Sequence, residues 1–198
     1  MHRACLKPSR AGGAPQNVCA QHAGFALVEI MLSAGVLAMG VLGLFGALVA
    51  SARLAAENRE TALAHQAARA MCERMQATPF AQIFATYNTD PSDDPGGPGT
   101  APGASFAVAG LEPAQAGAGV KAGEIFFPTI ALHGTAVALC ESVSDPALGM
   151  PRDLNGDGRI DAGARTGPYL VLPVRVRVRW RGFSGERSLE LASLLIAR

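Results

Sequence analysis

Between Ile30 and Ala52 the chain has no Asp, Glu, Lys or Arg, and between Met1 and Gly24 it has no acid. The first absence excludes a solvated surface segment. At a rise of about 1.5 Å per residue, a helix over that run is about 34 Å long, enough for a hydrocarbon core of about 30 Å. The second absence leaves Arg3, Lys7 and Arg10 as an unopposed basic flank. The positive-inside bias holds such a flank in the cytoplasm and exports everything after Ala52. Removing residues 1–24 takes away three of 17 basic residues and none of 16 acidic ones, so 14 face 16 in the remainder. No basic patch is interleaved with aromatics, so no nucleic-acid partner is expected. Catalytic signatures are missing as well. There is no His-Glu-x-x-His pair, no Gly-x-Ser-x-Gly elbow and no phosphate loop, and His65 and His133 stand alone. The chain is not expected to be an enzyme.

Cysteine is scarce, with four in all. Cys5 and Cys19 lie in the basic flank, which leaves Cys72 in a helical stretch and Cys140 on a short strand. Export permits a disulfide between them; two buried free thiols are the favoured expectation.

Against these absences stands Gly24-Phe25-Ala26-Leu27-Val28-Glu29-Ile30, with one carboxylate at the mouth of the uncharged run. An ionisable group costs roughly 2.5–3.5 kcal/mol at mid-helix on insertion scales, and less near an interface. A secretory signal peptide has an apolar core of only about 7–15 residues. Ala50-Ser51-Ala52 imitates its cleavage site, but the run is too long and Glu29 would sit within it. An uncut signal anchor explains the run, but neither Glu29 nor Gly24-Phe25. One helical turn separates Glu29 from Phe25. Its carboxylate can therefore neutralise its own chain's amine, the positive end of its own helix, or a neighbour's amine.

Helical character continues beyond the run. Residues 53–78 contain no Gly or Pro and are rich in Ala, Arg, Glu, Gln and Met. Ala64, Ala68, Met71 and Met75 recur at the spacing of one helix face, with Glu57, Arg69, Glu73 and Arg74 on the remainder. Pro79 disfavours helix at Thr78 and is the expected stop. Gly40, Gly43 and Gly46, with Gly35, lie in the apolar half, where small residues let helices approach closely.

Residues 80–198 have the size of one small domain. The Pro/Gly/Asp-rich run from Asp90 to Gly99, within a loop over 88–104, is expected to be solvated and without a core. Ser105–Ala109, Gly123–Leu132 and Thr135–Cys140 read as short strands bounded by Gly or Pro. Val174, Val176, Val178 and Trp180 alternate with Arg175, Arg177, Arg179 and Arg181. Gly182-Phe183-Ser184-Gly185 turns, and Arg187–Ala197 returns as the partner strand. This predicts an antiparallel hairpin with an aliphatic face for the helix and an arginine face for water. The fold class is α+β: a long N-terminal helix, half membrane and half amphipathic, packed on a small antiparallel sheet.

A second loop, over 145–168, carries Asp153-Leu154-Asn155-Gly156-Asp157-Gly158-Arg159-Ile160-Asp161. These residues match the first nine positions of an EF-hand-type calcium loop. Asp153, Asn155, Asp157, the Arg159 carbonyl and Asp161 would supply most of the about 6–8 oxygens Ca2+ requires. The twelfth position is Ala164, where a bidentate acid belongs, and Glu141 or Asp145 are the candidates to replace it. An Asn-Gly/Asp-Gly turn cluster without metal is the alternative. Calcium is expected to rigidify this loop where no hydrophobic core can.

Gly24-Phe25 through Ala77 resembles the N-terminal third of type IV pilins and type II secretion pseudopilins. The stretch Val36 to Gly46, the segment Ala67 to Met75 and the C-terminal hairpin are most similar to the minor pilins called type IV pilus modification protein V. This resemblance implies a pilin-like fold with a leader over 1–24, a transmembrane and assembly half over 25–52, an amphipathic half over 53–79 and a head over 80–198. It also implies that a membrane prepilin peptidase cuts between Gly24 and Phe25 and N-methylates Phe25. Glu29 would then pair with the N-terminal amine of a neighbouring subunit. Other pilins or pseudopilins and the inner-membrane assembly machinery are the implied partners. The implied location is the inner membrane, single-pass with the head periplasmic, and then the filament. His22-Ala23 before Gly24 depart from the family, which often has Lys or Arg there. The implied function is a minor pilin that primes, caps or modifies a type IV pilus. The alternatives are a minor pseudopilin of type II secretion and a signal-anchored extracytoplasmic calcium-binding module.

Overall fold

The computed structural model describes residues 23–165 and 167–197, with side chains from Ala26 onward. The expected leader up to residue 22, with Cys5 and Cys19, lies outside the described residues, as does the side chain of Phe25. The chain divides into two compact units, one ending at Ser51 and the other running from Ala52 to Arg198. Helix α1 (Ala23–Ala77), 55 residues long, runs through both. It stops one residue before the expected Thr78, with Pro79 beyond. The backbone at Gly24 and Phe25 is already helical.

In the first unit every described side chain, from Ala26 to Ser51, is exposed, including Leu27, Ile30, Leu37 and Phe45. It belongs to one helix near the N-terminus that is long and apolar enough to cross a membrane. Ser33 donates its hydroxyl proton to the Ile30 carbonyl at 3.0 Å, so the helix itself satisfies that polar group. No heavy atom comes within 4 Å of where a Cβ would stand on Gly35, Gly40, Gly43 or Gly46.

The second unit holds the rest of α1, then α2 (Phe80–Tyr87), β1 (Ser105–Phe106), β2 (Gly123–Phe126), β3 (Thr129–Ala131) and β4 (Val137–Leu139). A 3-10 turn η1 (Pro146–Leu148), β5 (Val171–Gly182) and β6 (Gly185–Ile196) complete it. One antiparallel sheet has the order β1-β2-β5-β6 and a second contains β3 and β4. The C-terminal hairpin is the expected one. β5 and β6 pair from Val171↔Ile196 to Gly182↔Gly185 around a two-residue turn, Phe183-Ser184.

Ala64, Ala68, Met71 and Met75 are buried, as their spacing predicts, and Cys72 joins them. They share one core with Val174, Val176, Val178 and Trp180, none more than 2% exposed. Two alanines on the inner helix face let it sit close to the β-branched row. Each buried Val contributes about 1.5–3 kcal/mol. α2 adds Ile83 and Tyr87, and its Phe80 ring lies 5.0 Å from that of Tyr169, whose hydroxyl donates to the Phe80 carbonyl at 2.9 Å.

Three sequence expectations are corrected here. Gly123–Leu132 is two strands rather than one, because Pro128 has no N–H for a ladder and the chain changes sheets at Phe127-Pro128. The 88–104 loop is not simply solvated: Asn88 and Asp90 are buried. The Asn88 side chain accepts from the Asp90 N–H at 2.7 Å and donates to Asp93 at 2.8 Å, so side-chain turns replace a ladder. The 145–168 loop does reach the core, because Leu148, Met150 and Leu154 are buried in it. The Leu154 carbonyl accepts from the N–H groups of Leu170 and Val171 at 2.7 and 3.1 Å. Hydrophobic residues therefore anchor this loop to the core.

Candidate functional site

Glu29 lies on α1 near the start of the uncharged run, and its side chain is exposed. Among the described residues no ion pair involves it. Gly24 and Phe25 lie on the same helix, with Phe25 one turn before Glu29.

Of the predicted calcium residues, Asp153, Asn155 and Asp157 come together in a tight polar loop, while Asp161 is tied to Glu141 and Arg165. Asp153 Oδ1 accepts the N–H groups of Asn155 at 3.0 Å and Gly156 at 2.7 Å, and its Oδ2 accepts that of Gly158 at 2.7 Å. The Gly158 bond is the largest influence holding the Asp153 carboxyl below the usual carboxylate range. Asn155 accepts from the Asp157 N–H at 3.0 Å and donates its amide to Asp157 Oδ2 at 2.7 Å. That side-chain bond, with the Arg159 N–H second, lowers Asp157 as well. Gly156 and Gly158 take φ of +81° and +79°, backbone that side chains rarely adopt.

Sequence reasoning found this loop but missed what holds it. Glu141, only 1% exposed, lies two residues past the end of β4. Its Oε1 accepts the Leu154 N–H and its Oε2 the Asp161 N–H, both at 3.0 Å. Arg165 Nε closes an ion pair with Oε1 at 3.0 Å and reaches Asp161 at 3.7 Å. A buried acid is stable only when paired and hydrogen-bonded in this way. Position 141 could have drawn attention as the one charge after a run of apolar strand residues, but its partners lie 13 to 24 residues away along the chain.

The donor chemistry suits a hard cation, since Asp153 Oδ2 and Asp157 Oδ1 each accept one N–H and keep a lone pair. The expected substitutes for the twelfth ligand do not fit. Glu141 is taken up by two N–H groups and an arginine. Asp145 accepts the Ala147 N–H at 3.0 Å to cap η1 and pairs with Arg175 at 3.2 Å. Among the described residues no group of three or more His, Cys, Asp or Glu side chains stands ready to hold a metal ion.

The arginine row is corrected too. Arg175 and Arg177 lie over the Phe126 ring at 4.9 and 4.5 Å from its centroid. Arg177 pairs with Glu124 at 2.7 Å, Arg179 with the same carboxylate at 3.6 Å, and Arg175 with Glu190 at 3.6 Å. These three arginines are half-buried, and only Arg181 of the row is exposed. The face meant for water is a lattice of internal ion pairs and cation–π contacts. A cleft of 460 Å³ beside it includes Asp90, Asp94 and Glu124 in its wall. Each of those acids is already engaged, by Ser92, the Ala101 N–H and the two arginines respectively.

Two acids of α1 hold the end of the hairpin, Glu57 among them although its spacing puts it off the predicted buried face. Glu60 accepts the Trp180 indole N–H at 3.1 Å, while Glu57 accepts the Ser184 hydroxyl and pairs with Arg187 at 3.2 Å. Cys72 and Cys140 are free and buried, the favoured of the two expectations, and burial pushes the Cys72 thiol up. His65 and His133 are exposed.

No protein-family model, curated protein or solved structure matches this chain.

Proposed function

We propose that the chain is a minor pilin, made with a leader, cut after Gly24 and built into a type IV pilus through the uncharged half of α1. One observation carries this reading: a lone carboxylate, Glu29, stands one turn after Gly24-Phe25 at the mouth of a helix able to cross a membrane. Hydrolysis of the Gly24–Phe25 bond leaves a positive amine on Phe25. In hydrocarbon both that amine and the Glu29 carboxylate are costly alone, and pairing between protomers offsets the cost of each. The amine of the incoming subunit thus selects the Glu29 of the one before it, and the glycine-bearing helices close around the pair. The head, with its paired arginines and hydrogen-bonded loops, is the part left to meet other subunits. Mass spectrometry of membrane-extracted protein tests this: methyl-phenylalanine at position 25 is expected, and an intact Met1 or a start at Arg53 overturns it. A pseudopilin of type II secretion shares this N-terminal chemistry. Deleting the gene would then abolish secretion rather than piliation.

We further propose that Asp153, Asn155, Asp157, the Arg159 carbonyl and Asp161 bind Ca2+, with water in place of a twelfth acid at Ala164. The two free lone pairs on Asp153 and Asp157 support this. Calcium should raise the melting temperature of the detergent-solubilised chain, and Asp153→Ala should remove the shift. An unmoved melting temperature in the parent protein ends the metal claim.

A further inference from the structure

The β5–β6 turn carries a residue that turn geometry does not require. Two-residue hairpin turns favour Asn, Asp and Gly, yet this one is Phe183-Ser184, with the Phe183 side chain 64% exposed. Its ring is not adrift. The Arg53 guanidinium stands over it, 5.3 Å from the centroid. The bond from Ser184 to Glu57 and the Glu57–Arg187 pair fix the turn against the helix. Arg53 is the first charged residue after the uncharged run that ends at Ala52, and Leu54 beside it is 60% exposed.

The charges around the turn are Arg53, Arg181 and Arg187 against Glu57, Glu60 and Glu186. Glu57 and Arg187 neutralise each other and Glu60 accepts the Trp180 indole N–H, while among the described residues Arg53 and Arg181 belong to no ion pair. An exposed aromatic ring beside two arginines outside any ion pair, one residue past a membrane-length apolar run, matches a phospholipid headgroup layer. There aromatic rings occupy the interface and guanidinium groups meet phosphate.

We propose that the Phe183-Ser184 turn is an interfacial anchor, with Phe183 entering the headgroup layer of a phospholipid bilayer while Arg53 and Arg181 bind lipid phosphate. This rests on the membrane-spanning part of the functional reading, not on the pilus. Held this way, the turn has a fixed depth at the bilayer surface before any neighbouring subunit arrives.

The test uses the full chain in vesicles of phosphatidylethanolamine and phosphatidylglycerol. The lipids carry a nitroxide either near the glycerol or near the chain end. The parent protein, whose one tryptophan is the buried Trp180, sets the baseline. The emission added by Phe183→Trp should move to shorter wavelength in vesicles and be lost to the shallow nitroxide more than to the deep one. Arg53→Gln in that background should lessen the loss. Leu37→Trp serves as the control, because it lies within the uncharged run and should be quenched by the deep label. Quenching of Leu37→Trp together with a position-183 signal that only aqueous iodide quenches would overturn the anchor and leave the membrane span standing. Failure of Leu37→Trp to respond to either nitroxide would overturn both.

Discussion

Single side chains divide this molecule's chemistry between two carboxylates with opposite surroundings. Glu29 is exposed on a helix face that carries no other charge, whereas Glu141 is buried among N–H donors and an arginine. Glu29→Ala makes the helix more apolar, so membrane insertion should persist while incorporation into filaments is lost. Immunoblots of sheared filaments against membranes measure this. Normal incorporation would remove the assembly role. Glu141→Gln replaces one acceptor oxygen with a donor that faces the N–H groups already there, and it leaves Arg165 only the longer pair with Asp161. The expected loss is about 3 kcal/mol, at the lower end for breaking a buried pair, read as a shift in the urea midpoint. Asp153 behaves differently, since its folded carboxyl lies below the ordinary range. Its contribution is complete above the unfolded carboxylate pKa and fades as pH falls through the lower folded value. Acid titration followed by amide NMR should show Gly156 and Gly158 losing protection there, while the amides bonded to the Leu154 carbonyl hold.

Among the elements, β1 and β2 meet at a contact only glycine permits. A Cβ on Gly123 would stand inside the Phe106 ring, opposite it in the register. Gly123→Val should cost about 1–3 kcal/mol, as overpacking does, and should release the β1 edge first, visible as faster hydrogen exchange at residues 104–106. The elements differ in how far the sequence announced them. The α1 face of Ala64, Ala68, Met71 and Met75 and the Val/Arg alternation of β5 were legible because each is a local period facing one core. The fate of the arginines was not. Their partners Asp145, Glu124 and Glu190 lie on η1's flank, β2 and β6, and no period along β5 reports what another strand brings alongside. The roles of Glu57 and Glu60 went unread for the same reason, being tied to Arg187 and Trp180 more than 100 residues on. The division at Pro128 was readable in principle, since a proline inside a run of strand residues marks a boundary. Of the candidate site, the acidic loop was legible as a motif, but the buried acid that braces it was not.

Viewed whole, the core of the described residues lies within the second unit: the earliest buried one among them is Ala64, and the first unit ends at Ser51. A chain begun at Ala52 should therefore be soluble and should melt cooperatively within a few degrees of the full protein in detergent. Non-cooperative melting would show that the uncharged helix half supports the core after all. The two thiols of that unit, Cys72 on α1 and Cys140 just past β4, are both buried and unlinked. The head thus reaches its native form without an oxidase, and reducing agents leave its stability alone. A maleimide dye finds neither sulfur while the head is closed, so its slow uptake times how often the domain breathes open.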